Sequence, residues 1–156
     1  FNSLMKAWAV VKEPEKCEQW LKRMIDVKVE PTRKSFGTLI NAWASIRNLD
    51  EALRWVNEMR QFGLEPNAAI FTSIIQNCST ASQVEYWVAE MENSNVKPNK
   101  YTYVVIISML GKTEGSAVAQ MWMEKMLEAN IVPGVEAVTA LIDSYGNVGD
   151  IEKVEK

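Results

Sequence analysis

Apolar residues recur along the chain at three- and four-residue intervals, in stretches of about a dozen residues separated by short polar breaks. One stretch places them at Phe36, Leu39, Ile40 and Trp43. After Arg47-Asn48 the pattern resumes at Leu49, Ala52, Leu53, Trp55, Val56 and Met59. Such spacing gathers apolar side chains on one face of a helix with 3.6 residues per turn, so the segment predicts a helical hairpin. Asn48 and Asp50 suit the start of its second helix, where a short polar side chain accepts free amide hydrogens, and Gly63 suits its end. Pro66 forbids continuation, because it lacks a donor and pushes Glu65 out of helical geometry. The same grammar runs through the chain, with Pro14 near the first position of its helix and Gly146 to Gly149 loosening the last turn. At least nine helices are expected, in an all-α fold.

The hairpins repeat. Pro31, Pro66, Pro98 and Pro133 are spaced 35, 32 and 35 apart, each closing a motif of the form Val-Glu-Pro, Leu-Glu-Pro, Val-Lys-Pro or Ile-Val-Pro. Met24, Met59, Met91 and Met126 precede these prolines by seven residues, and Trp20, Trp55, Trp87 and Trp122 precede the methionines by four. Phe1, Phe36, Phe71, Tyr103 and Val138 add an apolar position in the same phase, with a three-residue deletion between Phe71 and Trp87. A pair of helices this short cannot bury its apolar faces alone, so neighbours must stack into an α-solenoid. The Trp and Met positions, with Trp8 and Trp43 in a second phase, are its expected core.

Composition excludes several classes of chemistry. The 156 residues are about one domain's worth of sequence, 47% hydrophobic and 24% charged, an ordinary globular balance. The longest apolar run, Tyr103 to Leu110, is far shorter than the roughly 18 residues of a membrane-spanning helix. No histidine is present, which removes nucleophile pairs that need an imidazole to carry the proton. Glu13, Glu15, Glu18 and the other carboxylates fall on solvated helix faces without a partner for acid–base work, so no enzyme is expected. Cys17 and Cys78 are too few for a structural zinc site, and they read as small buried thiols in a reducing compartment. Neither a metal nor another cofactor is implied, nor a small-molecule substrate. The chain begins at Phe1 already inside a helical pattern, so it reads as a fragment, with any targeting segment upstream.

A 35-residue period with an aromatic at the head of the first helix, Met near the end of the second and a closing Val/Leu-Glu-Pro-Asn resembles the pentatricopeptide repeat family. The best unit is Arg33 to Asn67, where Ser35-Phe36-Gly37-Thr38-Leu39-Ile40-Asn41-Ala42-Trp43 and Leu49-Asp50-Glu51-Ala52-Leu53 look like the family's two helices. Tetratricopeptide repeats are the nearest confusion, with a period of 34 and a different Trp, Leu-Gly and Tyr pattern. The resemblance implies a right-handed superhelical array spanning 1–156, with repeats at 1–32, 33–67, 68–99 (short), 100–134 and 135–156 (truncated).

The resemblance also implies binding of single-stranded RNA, one base per repeat, in a groove lined by the first helices. The base-reading pair would be the residue after the aromatic with the residue after the closing proline. That carries over to Asn2 with Thr32, Gly37 with Asn67, Thr72 with Asn99, Val104 with Gly134, and Thr139 with a partner beyond the chain. Thr72 with Asn99 matches a combination that tends to read adenine in the family. Gly37 has no side chain for a base, and Val104 with Gly134 offers no hydrogen bond from either position. Where the family tends to place Val beside the base, this chain has Lys34, Ala69, Tyr101 and Glu136. Tyr101 can stack on a base, Lys34 can meet a phosphate, and Glu136 would repel one. Lys6 and Lys112 are further backbone candidates. The short third repeat is expected to clip the last turn of its first helix and shift Thr72 out of register.

A net charge of -3 argues against a nucleic-acid partner until the charges are sorted by position. Residues 1–12, 33–47, 68–79, 100–113 and 135–147 hold Lys6, Lys12, Arg33, Lys34, Arg47, Lys100 and Lys112 against Glu136 and Asp143, a net +5. The remainder is -8. Two functions follow from the resemblance. One is an RNA-binding module of a mitochondrial or plastid factor for RNA processing, stability or translation. The other is a scaffold subunit of a large organellar ribonucleoprotein such as a ribosome, with degenerate base recognition and protein subunits as partners.

Overall fold

The computed structural model describes residues 1–148, and they form nine helices without a strand. Two compact units divide the chain, Phe1–Asn77 and Cys78–Lys156.

The first unit contains α1 (Asn2–Val10), α2 (Pro14–Asp26), α3 (Arg33–Ser45), α4 (Leu49–Gln61) and α5 (Ala68–Ile75). The helix α1 packs on α2 and α3, while α3 packs on α4 and α5, so first helices stack on first helices and each second helix braces its own hairpin. Phe36, Leu39, Ile40, Val56, Met59, Phe71 and Ile74 are fully buried between them, as the periodicity predicts. The aromatic of each first helix meets the Trp of the second, Phe1 against Trp20 at 5.9 Å and Phe36 against Trp55 at 6.2 Å between ring centroids. Trp8 and Trp20 depart from the expected core by being half-buried, and Phe1 is exposed, because α1 and α2 are covered on one side only within this unit.

The second unit contains α6 (Ala81–Asn93), α7 (Lys100–Thr113), α8 (Ser116–Glu128) and α9 (Val135–Val148). Here α7 packs on both α8 and α9, and Tyr103 meets Trp122 at 6.4 Å. Gly111 makes the α7–α9 approach possible, since a Cβ there would lie 2.7 Å from the Ser144 Cβ. Gly146 does not loosen α9, which runs through it to Val148; Gly149 lies outside the described residues. Val138, the last member of the aromatic series, is exposed.

Helix starts follow the expected capping chemistry. Asn48 accepts from the Glu51 amide, and Thr32, Asn67, Thr80 and Asn99 do the same for α3, α5, α6 and α7. Helix ends show a device that the sequence pattern left hidden. Lys28, Gly63, Asn95 and Asn130, each three residues before a repeat proline, adopt left-handed backbone with φ of 57–73°. The residue after each donates its amide to the carbonyl of the repeat methionine, at 2.9, 3.1, 3.0 and 3.1 Å for Met24, Met59, Met91 and Met126. The methionine thus fills the core with its side chain and closes its helix with its carbonyl.

Both cysteines are buried free thiols, and the Cys17 thiol donates to the Met5 carbonyl at 3.1 Å. No helix among the described residues is long and apolar enough to cross a membrane.

Candidate nucleic-acid interface

Three of the residues that follow the repeat prolines, Thr32, Asn67 and Asn99, are held in place as helix caps. Thr32 occupies extended backbone at the start of α3, its hydroxyl accepting from the Ser35 amide while the Ser35 hydroxyl accepts from the Thr32 amide. Asn99 builds the same reciprocal box with Thr102 at the start of α7, and Asn67 accepts from the Ile70 amide at 3.1 Å. Each of these caps uses one side-chain oxygen for the helix. The amide groups of Asn67 and Asn99 keep their N–H hydrogens as potential donors to a ligand.

In the first repeat the two positions meet. Ser35 lies between them, its hydroxyl 2.8 Å from Asn2 Oδ1 and 3.2 Å from Thr32 Oγ1. Asn2 and Thr32 are therefore linked by a hydrogen-bonded chain through a fully buried serine.

In the second repeat Gly37 and Asn67 line one open recess between α3 and α5, together with Arg33, Lys34, Thr38, Asn41, Ala69 and Ser73. Gly37 is buried, with the Ile70 side chain 3.4 Å from where its Cβ would be. The recess therefore owes its polar groups to Asn67, Asn41, Thr38 and Ser73, and its positive charge to Lys34 and Arg33. Both basic side chains are exposed, and Arg33 also donates to the Glu65 carbonyl at 2.9 Å. Asn41 enters this set from its position one helical turn after Gly37. Pairing residues by their place in the repeat motif passes over it, and the i to i+4 geometry of α3 is the signal that finds it.

Thr72 and Asn99 fall in different units, Thr72 buried in α5 and Asn99 exposed at the start of α7. The helix α5 has 8 residues against 13 in α3, as the three-residue deletion predicts.

At the fourth pair, Val104 is half-buried. Gly134 has the Lys100 ammonium and a Glu136 carboxylate oxygen beside it, 2.5 and 2.8 Å from where its Cβ would be. Side chains from α7 and α9 thus cover the space that a reading residue would occupy. Thr139 is exposed on α9, and Tyr101 is exposed in the first turn of α7.

The charge pattern narrows on inspection. Lys6, Arg33, Lys34, Lys100 and Lys112 lie on first helices, whereas Lys12 and Arg47 occupy left-handed turn positions just beyond α1 and α3.

Comparison with known proteins gives a consistent picture. The family model described as the pentatricopeptide repeat domain matches residues 1–45 and 34–81, and that of the PPR repeat matches residues 136–156. No curated protein sequence matches the chain. Among solved structures, the chain is similar to the pentatricopeptide repeat protein PPR10 in complex with an 18-nt psaJ RNA element. That match has 15% identity and a TM-score of 0.77, over 98% of this chain and 26% of that one. It is also similar to the PPR domain of Arabidopsis thaliana protein-only RNase P 1 in complex with tRNA, at 14% identity and a TM-score of 0.68, covering 98% and 82%. A third likeness is to nuclear proteinaceous RNase P 2 from A. thaliana, at 18% identity and a TM-score of 0.65, covering 98% and 35%. The chain spans about a quarter of the length of PPR10. The fold shared with these proteins is the all-α repeat solenoid.

Proposed function

The chain belongs to the pentatricopeptide repeat family, and from that premise we propose that it binds single-stranded RNA along its first helices, by holding the strand rather than by chemistry. The observation that carries this reading is the recess that Gly37, Asn41 and Asn67 line together with Lys34 and Arg33. A base can hydrogen-bond to the asparagine amides there while its phosphate meets a lysine. The RNA-bound state of PPR10 and the tRNA-bound state of RNase P 1 support the same reading by family likeness.

RNA processing, stability or translation in a mitochondrion or plastid is the setting we propose, supported by family membership alone. A scaffold role in a large organellar ribonucleoprotein is favoured by one observation. At Val104 and Gly134 the reading positions carry no polar side chain, and Lys100 covers Gly134.

Anisotropy of a labelled RNA oligonucleotide across a salt series tests the proposal. Each neutralised phosphate contributes a slope of about -0.7 in log affinity against log salt for a single strand. Lys34→Glu is expected to shallow the slope by about that amount. A parent slope of zero would mean that no phosphate is held and would sink the reading.

A further inference from the structure

The repeats at 33–67 and 100–134 differ in what lies beside the aromatic of their first helix. In the earlier repeat the Phe36 ring is covered by Phe62, four residues before Pro66, with centroids 5.4 Å apart. In the later repeat the equivalent of Phe36 is Tyr103, and the residue four before Pro133 is Ala129. The space that Phe62 fills is left open, and two adjoining recesses occupy it. Both are lined by Tyr103, Ala129, Glu92 and Glu128.

This opening carries charge beside apolar walls from Val88, Trp122, Pro98 and Ile131. Glu92 and Glu128 lie in the last turns of α6 and α8, where the helix carbonyls already concentrate negative potential, so each carboxylate sits against its helix dipole. Among the described residues neither has a lysine or arginine within ion-pair distance. Lys125 lines the first recess with its own partners, 3.6 Å from Glu85 and 4.2 Å over the Trp122 ring. Lys97 lines the second recess without pairing with either carboxylate.

Tyr103 is 7% exposed, and no hydrogen bond to its phenol oxygen is made among the described residues, although it opens on both recesses. Burial raises the phenol's pKa, and the charges of Glu92 and then Glu128 raise it further, so both carboxylates are felt at the ring.

We propose that this recess is a binding site for a guanidinium group, the arginine side chain of a partner protein. The planar cation would lie against the Tyr103 ring, donate to Glu92 and Glu128, and donate to the phenol oxygen. A fork of N–H groups matches two carboxylates better than an ammonium does, and stacking on an aromatic face adds to the preference. The occupant differs from RNA in sign of charge, so the site is independent of the strand-holding function.

The test is calorimetric titration of the chain at low salt with acetyl-Gly-Arg-Gly-amide, its glutamine analogue and spermidine. Saturable one-to-one binding of the arginine peptide, tighter than both others, is expected. Ala129→Phe, which installs the ring that Phe62 supplies in the earlier repeat, is expected to weaken that binding at least about tenfold, as are Glu92→Gln and Glu128→Gln. RNA affinity should be unchanged in Ala129→Phe, which separates this site from the RNA reading. Equal binding of the arginine and glutamine peptides, or undiminished binding in Ala129→Phe, would overturn the proposal. Spermidine binding as tightly as the arginine peptide would overturn the guanidinium assignment. Should Ala129→Phe misfold, the glutamine variants and Tyr103→Phe decide the matter by the same readout.

Discussion

The Ser35 hydroxyl donates to Asn2 Oδ1 across 2.8 Å, joining the first helices of two consecutive repeats through a residue that also caps the second of them. Ser35 is fully buried. Its removal leaves the half-buried Asn2 oxygen and the Thr32 amide without the Ser35 hydroxyl as a partner. Ser35→Ala is expected to cost about 1–2 kcal/mol, read from the midpoint of urea unfolding. An unchanged midpoint would mean that both groups find water.

Trp55 is 5% exposed and its ring meets Phe36 at 6.2 Å, whereas Trp20 is half-buried against Phe1. Trp55→Ala is expected to cost about 3–5 kcal/mol and Trp20→Ala clearly less, by the same unfolding measurement. Equal losses would mean that the two repeat positions carry equal packing.

Two buried glycines on first helices make opposite predictions. A Cβ at Gly111 would meet Ser144 Cβ at 2.7 Å and Ala119 Cβ at 3.3 Å, both short and rigid side chains. Gly111→Ala should destabilise by about 1–3 kcal/mol, because α9 has to move away from α7. At Gly37 the nearest atoms are the Ile70 side chain at 3.4 and 3.5 Å, an ordinary contact. Gly37→Ala should be neutral or stabilising by up to about 1 kcal/mol through helix propensity. Thermal unfolding of the two variants checks both signs.

Much of this architecture was legible in the sequence. The phase of Trp, Met and Pro defines the hairpins, and of the periodic apolar residues between Phe36 and Met59 all are buried but Leu49 and Leu53, which are half-buried. The ends of the second helices were less legible. Gly63, Asn95 and Asn130 are residue types that take left-handed backbone readily, whereas Lys28 occupies the same backbone state without such a propensity. The recess at Gly37 was equally hidden, because Asn41 contributes to it through the helical turn and lies outside the motif positions. Lys28→Gly removes a strained left-handed conformation and should raise stability by about 1 kcal/mol. A lower melting temperature would show that the lysine side chain contributes more than its backbone costs.

Burial raises the Cys17 thiol from 9.0 to about 11 and the Cys78 thiol to about 12. For each, the folded-state pKa lies above the unfolded one, so the folded chain resists losing the proton. The associated stability is fully present below pH 9 and is lost as pH rises from about 9 towards 11 or 12. Urea unfolding at pH 8 and pH 10.5 should therefore show a larger fall for the parent than for a Cys17→Ala, Cys78→Ala double variant. Equal falls would assign the alkaline loss to other groups.

Thr32, Asn67 and Asn99 begin helices with the side chains that the RNA-binding proposal assigns to a base. On that proposal the alphabet available at the position is restricted to residues that can cap, and a change of RNA target written there is also an edit to helix stability. Gly134 is the exception in this chain: without a capping side chain of its own, it is a site where a serine, asparagine or aspartate would alter folding and ligand preference in one step.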